Sequence, residues 1–387
     1  MTEPSLQPND QIILEHDHFQ KLFDVLTGEG YQIIGPALGE GSIVYRKLDS
    51  VSELPAGWTD EQEGGMYRLR QREDKSLFGY TVGPHSWKNS LFPSVQRLLQ
   101  VTRKDNGFHI KEKGTEEGTT APKFAFLGVR SCDIHAISIQ DKVFIQGKFV
   151  DPDYKARREN TFIAAVHCGK AGGTCFCASM GTGPRADSGF DIAMTEIIGK
   201  DCHYFLVETG TEKGAGILRE VPHRKANEEE KSTASDIVKK TAGQMGRYMN
   251  TDTIKDILYR NYEHPRWDDV AKRCLACANC TLVCPTCFCA TVEDTVNITG
   301  ESASRWRKLD SCFNLDHSYI HGGSIRSSAR SRYRQWLTHK IATWIDQFGT
   351  MGCVGCGRCI TWCPVAIDIT EEIRAIRESE QANRQSL

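Results

Sequence analysis

The chain has 387 residues, of which 39% are hydrophobic, so it can bury a large core and is more consistent with two domains than with one. Its formal net charge of -2 excludes a global field that would attract nucleic acid or an anionic membrane. The sixteen cysteines are too clustered, and the chain is too long, for a small secreted disulfide scaffold, so they predict a reducing compartment.

The first residues do not resemble a targeting segment. The stretch MTEPSLQPNDQIILEHDHF has acids and amides where a secretory signal needs basic and then apolar residues. The longest apolar runs, such as residues 162–166, have the length of a strand and not of a membrane span. We therefore expect a cytoplasmic protein that has neither nucleic acid nor a membrane as a partner.

The first hundred residues alternate between helical and strand-like patterns. Residues 18–30 have helical apolar spacing, and residues 31–48 contain two strand-like segments. Residues 98–113 predict a hairpin that turns at residues 105–107. This alternation is typical of an α/β unit.

Two buried strands are predicted further along, after a polar stretch at residues 114–122. The segment KFAFLGV at 123–129 ends shortly before Cys132, and TFIAAV at 161–166 ends shortly before Cys168. In α/β sheets, binding sites collect beyond the carboxyl ends of the strands. Both cysteines are therefore candidates for a functional site.

The chain then changes character. Residues 211–235 are rich in Glu and Lys and are predicted to be an exposed loop or linker, whereas residues 236–262 and 332–348 have helical patterns. We predict an α/β N-terminal domain over residues 1–235 and a mostly α-helical C-terminal domain over residues 236–387.

The C-terminal domain contains one cysteine pattern twice. Both copies read C-x2-C-x2-C-x3-C-P, the bacterial ferredoxin pattern that holds 4Fe-4S clusters: Cys274, Cys277, Cys280, Cys284 and Pro285, then Cys353, Cys356, Cys359, Cys363 and Pro364. In two-cluster ferredoxins the fourth cysteine binds the other cluster. The predicted ligands are Cys274, Cys277, Cys280 and Cys363 for the first 4Fe-4S cluster, and Cys353, Cys356, Cys359 and Cys284 for the second. The domain is thus predicted to be dicluster ferredoxin-like.

Zinc is the structural alternative for these cysteines. Zinc sites usually pair two C-x2-C knuckles or add histidines three to five residues apart. Neither copy has that form, so ligand softness and spacing favour iron-sulfur over zinc.

Four of the remaining cysteines predict a third site. The tetrapeptide TCFC occurs at residues 174–177 and again at 286–289, and a Cys-x-Cys pair can place both thiolates on one side of a tight turn. Glycines near the first copy would let the backbone approach a cluster. A third 4Fe-4S cluster is predicted on Cys132, Cys168, Cys175 and Cys177. The open alternatives are Asp133 or His167 in place of a thiolate, and Cys287 or Cys289 recruited across the domain boundary.

The other cysteines have structural interpretations. Cys202 lies on a strand-like segment and is predicted to be a small buried hydrophobe. Cys287, Cys289 and Cys312 are predicted to pack around the two ferredoxin-type clusters, where N–H and S–H groups tune the potential.

Two basic features allow two interpretations each. Arg358, inside the second ferredoxin-type copy, points either inward to the cluster or outward to solvent. The predicted helix at residues 326–340 carries five basic side chains. It either docks an acidic partner or is simply solvated or internally salt-bridged.

Five separated motifs resemble a known family. They are GVRSCDIHAI, AAVHCGKAGGTCFCASMGTGP, CLACANCTLVCPTCFCATVED, LDSCFNLDHSYIHGGSIRSSARSRYRQWLTHK and GCVGCGRCITWCPVAIDIT. Together they resemble the iron-sulfur beta subunit of cytosolic NADP-linked nickel-iron hydrogenases, also called sulfhydrogenases, and are similar to the electron-transfer subunit of anaerobic sulfite reductase. The resemblance runs from about Lys123 onward, and the first hundred residues carry little of it.

The resemblance implies a non-catalytic subunit of a heteromeric oxidoreductase. Such a subunit passes electrons between a flavin subunit that handles NAD(P)H and the small and large subunits of a nickel-iron hydrogenase, or the catalytic subunit of a sulfite reductase. The sequence has no G-x-G-x-x-G fingerprint after a strand, so we expect no flavin or nicotinamide to bind this chain alone. We predict no catalytic residue.

The resemblance also implies that this is not the nickel-binding subunit, because that subunit has a C-x2-C pair near each terminus and this chain has no cysteine before Cys132. A stand-alone ferredoxin-like carrier and a structural zinc protein are the remaining alternatives. The sequence does not decide between hydrogen and sulfite as the terminal substrate.

Overall fold

The computed structural model describes residues 6–105, 107–112 and 121–385. Its strands are β1 (Gln11–Glu15), β2 (Gln32–Leu38), β3 (Ile43–Lys47), β4 (Trp58–Glu63), β5 (Met66–Gln71), β6 (Val95–Lys104), β7 (Gly107–Glu112), β8 (Phe124–Val129), β9 (Thr161–Val166), β10 (Ile192–Ile198), β11 (His203–Thr209), β12 (Arg224–Lys225), β13 (Ala290–Val296), β14 (Ser302–Leu309), β15 (Tyr319–Ile320) and β16 (Gly323–Ser324).

The helices are α1 (Phe19–Gly28), α2 (Lys88–Leu91), α3 (Ser131–Phe144), α4 (Pro152–Glu159), α5 (Glu212–Arg219), α6 (Glu228–Ala242), α7 (Ile254–Arg260), α8 (Arg266–Arg273), α9 (Asn279–Leu282), α10 (Ala329–Thr338), α11 (Trp344–Phe348), α12 (Arg358–Thr361) and α13 (Ile369–Gln385). A π-helical turn, His339–Thr343, joins α10 to α11. Within the described ranges, none of these helices combines the length and apolarity that a membrane crossing requires.

The main sheet is mixed. In the described residues, eight strands form it in the order β12-β1-β11-β10-β9-β8-β2-β3. Its centre is parallel, because β2 pairs with β8, β8 with β9 and β9 with β10, whereas the outer pairs are antiparallel. Strands β8 and β9 are buried along their whole length, which accounts for their unbroken apolar sequences. The α/β prediction for the N-terminal half is confirmed.

The parallel centre brings two cysteines to one edge of this sheet. Strand β8 leads through Arg130 into α3, whose second residue is Cys132, and β9 leads through His167 to Cys168. Since neighbouring parallel strands end at the same edge, both cysteines lie beyond the carboxyl ends, as the sequence predicts.

A second sheet joins the two halves of the chain. Its order is β13-β14-β6-β7, and β14 pairs antiparallel with β6, with Ser302 opposite Thr102. The prediction of a mostly helical C-terminal half is not confirmed, because the hairpin β13–β14 lies between its helices. The predicted hairpin at 98–113 is confirmed as β6–β7. Residue Asn106 at its turn, and residues 113–120 after it, lie outside the described residues.

The linker predicted at residues 211–235 is wrong. These residues form α5, the short strand β12 and the first half of α6, so most of their charged side chains belong to regular structure. Helix α6 begins with a capping box in which the Glu230 N–H donates to the Asn227 side chain and the Asn227 N–H donates to the Glu230 carboxylate, both at 2.9 Å. The helix predicted over residues 236–262 is interrupted after Ala242 and resumes as α7.

The first TCFC loop packs against the second ferredoxin-type copy. The Phe176 N–H donates to the Gly355 carbonyl at 2.9 Å, and the hydroxyls of Thr174 and Thr361 are 2.7 Å apart. A Cβ built on Gly357 would lie 2.4 Å from Thr174 Oγ1, so the two backbones are in contact. This close approach joins the N-terminal half to the C-terminal half.

Gly357→Ala tests this packing. Gly357 has φ +76° and no room for a Cβ, whereas Gly349 has φ +68° with no atom within 4 Å of a built Cβ. We expect Gly357→Ala to lower the free energy of unfolding by about 2–4 kcal/mol, through left-handed strain plus overpacking, and Gly349→Ala by about 1 kcal/mol, through strain alone. Anaerobic urea unfolding measures both values. Equal losses would contradict the close approach.

Candidate iron-sulfur sites

Both ferredoxin-type copies have the same backbone turn. Ala276 and Ala278 in the first copy have φ values of +50° and +67°, and Gly355 and Gly357 occupy the same positions in the second copy with +63° and +76°. The left-handed conformation costs a non-glycine residue about 1–2 kcal/mol, so the surrounding structure must hold both alanines in place. The second copy requires glycine because its turn packs against residues 174–177.

The first predicted ligand set lines one cavity. Its walls include Cys274, Cys277, Cys280 and Cys363, together with Cys359, Tyr333 and Trp336. Backbone amides point at two of these thiols, because the Ala276 N–H donates to Cys274 Sγ at 3.4 Å and the Ile367 N–H donates to Cys363 Sγ at 3.3 Å. Amide donors of this kind stabilise thiolate ligands.

Two further donors in this cavity lack a partner. The Tyr333 hydroxyl and the Trp336 indole nitrogen are buried, and neither forms a hydrogen bond with any described residue. Buried polar groups are normally hydrogen-bonded, so these two require an acceptor in the cavity. The sulfurs of a 4Fe-4S cluster accept such bonds, and the donor set therefore fits that group.

The second predicted set is more deeply buried. It consists of Cys353, Cys356, Cys359 and Cys284. The pKa of the Cys353 thiol is raised to about 12, mainly by burial and in smaller part by the neighbouring thiols of Cys356 and Cys284, whereas the Lys340 ammonium acts in the opposite direction. Burial also raises the pKa of the Cys359 thiol. The neighbouring thiols of Cys353, Cys356 and Cys284 add to this rise. These mutual effects indicate that the four thiols lie near one another.

Two buried lysines flank Cys284, and neither was predicted from the sequence. Lys340 Nζ donates to Cys284 Sγ at 3.2 Å and to the Gly352 carbonyl at 3.0 Å. Lys88 Nζ donates to the carbonyls of Cys284 and Cys287 at 2.9 and 3.0 Å. Hydrogen bonding to the Cys287 thiol and the charge of Lys340 lower the pKa of Cys284, so this thiol is held as a thiolate. Nothing local in the sequence marks a lysine for this role.

The third predicted set also lines one cavity. Its walls include Cys132, Cys168, Cys175 and Cys177, together with Arg130, Lys170 and Cys356. The alternative ligands Asp133 and His167 do not line it. Asp133 pairs with Arg358, and His167 Nδ1 accepts a hydrogen bond from the Ala186 N–H at 3.1 Å. Cys287 and Cys289 do not line it either.

The three sets form a row with shared walls. Cys356 of the second set also lines the third cavity, and Cys359 of the second set also lines the first cavity. The first set lies nearest to solvent, because Cys277 is exposed, whereas Cys132, Cys175, Cys177 and Cys356 are buried. The second set therefore lies between the other two sets.

The spacing of the thiols differs from that of a mononuclear site. Among the described residues, no three His, Cys, Asp or Glu side chains are close enough together to hold one metal ion. The thiols of the first and third sets instead line small cavities, an arrangement that suits a multi-iron cluster better than a single zinc ion.

A buried ion pair connects the second and third sets. Arg358 Nη1 and Nη2 donate to the two carboxylate oxygens of Asp133 at 2.9 and 3.0 Å, and its Nε donates to the Gly83 carbonyl at 3.1 Å. The side chains are 0% and 1% exposed. Arg358 thus points into the protein and not to solvent. Its guanidinium contacts Asp133 of α3, the residue next to Cys132. Burial raises the pKa of the Cys356 thiol, and the charge of Arg358 acts against that rise.

Two structural interpretations from the sequence have clear outcomes. Cys202 is exposed, so its prediction as a buried hydrophobe is wrong, because β11 begins one residue later. The basic segment at 326–340 is internally paired, since Arg330 and Arg334 each lie 2.8 Å from the Glu263 carboxylate. Two of its five basic side chains are thus neutralised by a carboxylate of the same chain.

The chain is similar to known iron-sulfur proteins. The 4Fe-4S dicluster domain family matches residues 273–367. Over 368 residues the chain is 34% identical to the sulfhydrogenase 2 subunit beta of Pyrococcus furiosus, and the match covers 94% of this chain and 98% of that protein. No solved structure matches the chain significantly.

Arg358→Met tests the buried ion pair. It leaves the Asp133 carboxylate buried without its partner, so we expect the free energy of unfolding to fall by about 3–5 kcal/mol. The control is Arg305→Met, which removes a bidentate pair with Asp294 of similar geometry on the surface. Because solvent screens that pair, its loss should be barely measurable. Comparable effects in anaerobic urea unfolding would contradict a special role for Arg358.

Proposed function

The chain belongs to the family of the sulfhydrogenase beta subunit, and from this premise we propose that it is the electron-relay subunit of a heteromeric hydrogenase complex. A 4Fe-4S dicluster domain within the chain agrees with that role. The relay connects a flavin subunit, which handles NAD(P)H, with the small and large subunits of a nickel-iron hydrogenase.

The observation that carries this proposal is the row of three thiol sets with shared walls. We assign Cys274, Cys277, Cys280 and Cys363 to the first cluster, Cys353, Cys356, Cys359 and Cys284 to the second, and Cys132, Cys168, Cys175 and Cys177 to a third. Bound 4Fe-4S clusters supply one-electron carriers. Walls that share Cys356 and Cys359 support short separations between neighbouring sites.

The surrounding side chains set the environment of these sites. Lys340 places a positive charge against Cys284, and Tyr333 and Trp336 offer hydrogen-bond donors to the first cavity. Arg358 holds the second and third sets together. Charge, hydrogen bonds to sulfur and burial are the means by which a protein adjusts the potential of such sites.

The first set is the proposed point of electron exchange with a partner. Cys277 is exposed, and the flanking Leu275 and Leu282 are 64% and 52% exposed. Apolar side chains beside an accessible ligand support a contact surface at this end of the row. Flavin, nicotinamide and nickel belong to the partner subunits in this proposal, and the complex is cytoplasmic.

The relay is tested in the purified native complex. Replacing Cys277 or Cys356 by Ser should abolish electron transfer from NADPH to the partner catalytic subunit while flavin reduction by NADPH persists, because the break lies beyond the flavin. Cys202→Ser is the matched control and should transfer normally. Normal transfer in Cys277→Ser and Cys356→Ser would refute the relay. Nickel in the co-purified large subunit supports hydrogenase, whereas siroheme would point to sulfite reductase.

The third cluster is tested by iron content. We expect about twelve iron atoms per anaerobically purified chain, at four per cubane, and about eight in a Cys175→Ala, Cys177→Ala double variant. Elemental analysis with acid-labile sulfide measures both. About eight iron atoms in the unmodified chain would leave only the two ferredoxin-type clusters.

A further inference from the structure

Two buried lysines contact the segment at Cys284 without a carboxylate partner. Lys340 and Lys88 are only 2% and 3% exposed. In the ranges that the structure describes, their acceptors are a sulfur, a hydroxyl and backbone carbonyls, and neither lysine forms an ion pair with an acid. Arg358, a buried cation within the second ferredoxin-type copy, is neutralised by Asp133. Because a buried charge is strongly unfavourable without an opposite charge nearby, the two ammonium groups require negative charge close to Cys284.

The hydrogen bonds of Lys340 match those of an ammonium group. Its Nζ lies 3.2 Å from Cys284 Sγ, 3.0 Å from Thr286 Oγ1 and 3.0 Å from the Gly352 carbonyl oxygen. The Thr286 hydroxyl donates its own proton to the Gly352 carbonyl at 2.6 Å, so it accepts a hydrogen bond from the lysine. A charged lysine has three N–H donors and no acceptor, and three acceptors surround Lys340. Its positive charge therefore lies against a predicted ligand of the second set.

The two lysines reach this position from different parts of the chain. Lys340 lies in the π-helical turn His339–Thr343, so the helix departs from α geometry at the residue that contacts Cys284. Such turns are frequent at functional sites. Lys88 is the first residue of α2 in the N-terminal half, and its Nζ donates to the carbonyls of Cys284 and Cys287 at 2.9 and 3.0 Å. Each half of the protein thus brings one positive charge to the same predicted ligand.

The second set can supply the negative charge that the lysines require. In a 4Fe-4S cluster, four thiolates outweigh the charge of the iron–sulfide core, and reduction adds one further negative charge. Burial alone disfavours that added charge and lowers the reduction potential, whereas a nearby positive charge raises the potential. The first set has solvent at Cys277 for this purpose, and no cationic side chain is found among the described residues that line its cavity. The buried second set has the two lysines.

We propose that Lys340 and Lys88 raise the reduction potential of the second cluster and thereby keep this buried site reducible. The inference rests on the proposed electron relay and assigns the two lysines a role within it. Lys340 acts on the ligand sulfur by its charge and a hydrogen bond, and Lys88 acts by its charge from the backbone side of Cys284. The second cluster gains one electron from a neighbouring cluster, and the lysines exchange neither a proton nor an electron.

The test is an anaerobic redox titration of the full chain with dithionite and mediators, followed by low-temperature electron paramagnetic resonance. In Lys340→Met, one midpoint potential should fall by about 59 mV or more, which corresponds to a tenfold change in a one-electron equilibrium. Lys88→Met should lower the same potential by less, because its ammonium contacts carbonyls and not sulfur. Lys340→Arg keeps the charge and should retain most of the original potential.

Lys123→Met is the matched control. Lys123 Nζ also donates to a backbone carbonyl, that of Glu29, at 2.9 Å. It lies directly before β8, however, at the opposite end of that strand from Cys132. Its replacement should leave every midpoint potential unchanged, because its charge is remote from the three thiol sets.

Three results would overturn the proposal. One is unchanged potentials in Lys340→Met and Lys88→Met at full iron content. Another is loss of about four iron atoms from both variants, which would make the lysines structural supports of the site. The third is an equal fall in Lys340→Arg, which would assign the effect to packing and not to charge. Absence of iron from the unmodified chain is a different result, because it would refute the relay itself.

Discussion

The arrangement of the three sites depends on the ion pair between Arg358 and Asp133. Both side chains are fully buried, and an isolated charge in such a place would be strongly unfavourable, so each residue requires the other. Asp133 is next to Cys132 of the third set, and Arg358 lies between Cys356 and Cys359 of the second. The pair therefore fixes the third set against the second, and the hydrogen bond from Arg358 to Gly83 adds a third segment.

Direct contact between two backbones also fixes the third set against the second set. The turn of the second ferredoxin-type copy uses Gly355 and Gly357 because the TCFC loop lies directly against it, whereas the first copy has alanines in the same left-handed conformation. One backbone shape thus occurs twice with different residues, and the difference follows from what each copy contacts. Through this close packing, Cys356 of the second copy also lines the cavity of the third set.

Much of the site could be predicted from the sequence because its signals are local. The ferredoxin-type spacing marks two candidate ligand sets, and the all-apolar strands β8 and β9 place Cys132 and Cys168 beyond one sheet edge. The second sheet was missed because β6 and β14 are far apart in the chain, and no local pattern reports such a pairing. Lys340 was grouped with a basic helix since charge alone does not reveal burial beside a thiolate.

In two places the composition of a segment is a poorer guide to its structure than the positions of single residues. The polar residues at 211–235 suggested a linker, although Asn227 and Glu230 have the spacing of a helix start. Cys202 precedes the strand that its sequence suggests, and the first two residues of that strand are themselves only half-buried. At residues 211–235, the capping pair Asn227 and Glu230 therefore predicts the structure better than the overall polarity does.

The long separation between Asp133 and Arg358, 225 residues along the chain, bears on how the protein is made. During translation, the strands of the main sheet and the thiols of Cys132, Cys168, Cys175 and Cys177 leave the ribosome long before the segment that covers them. Until Arg358 and its flanking glycines arrive, Asp133 has no counter-charge and the TCFC loop has no surface to close against. The packing around these four thiols is therefore completed only when nearly the whole polypeptide has been made.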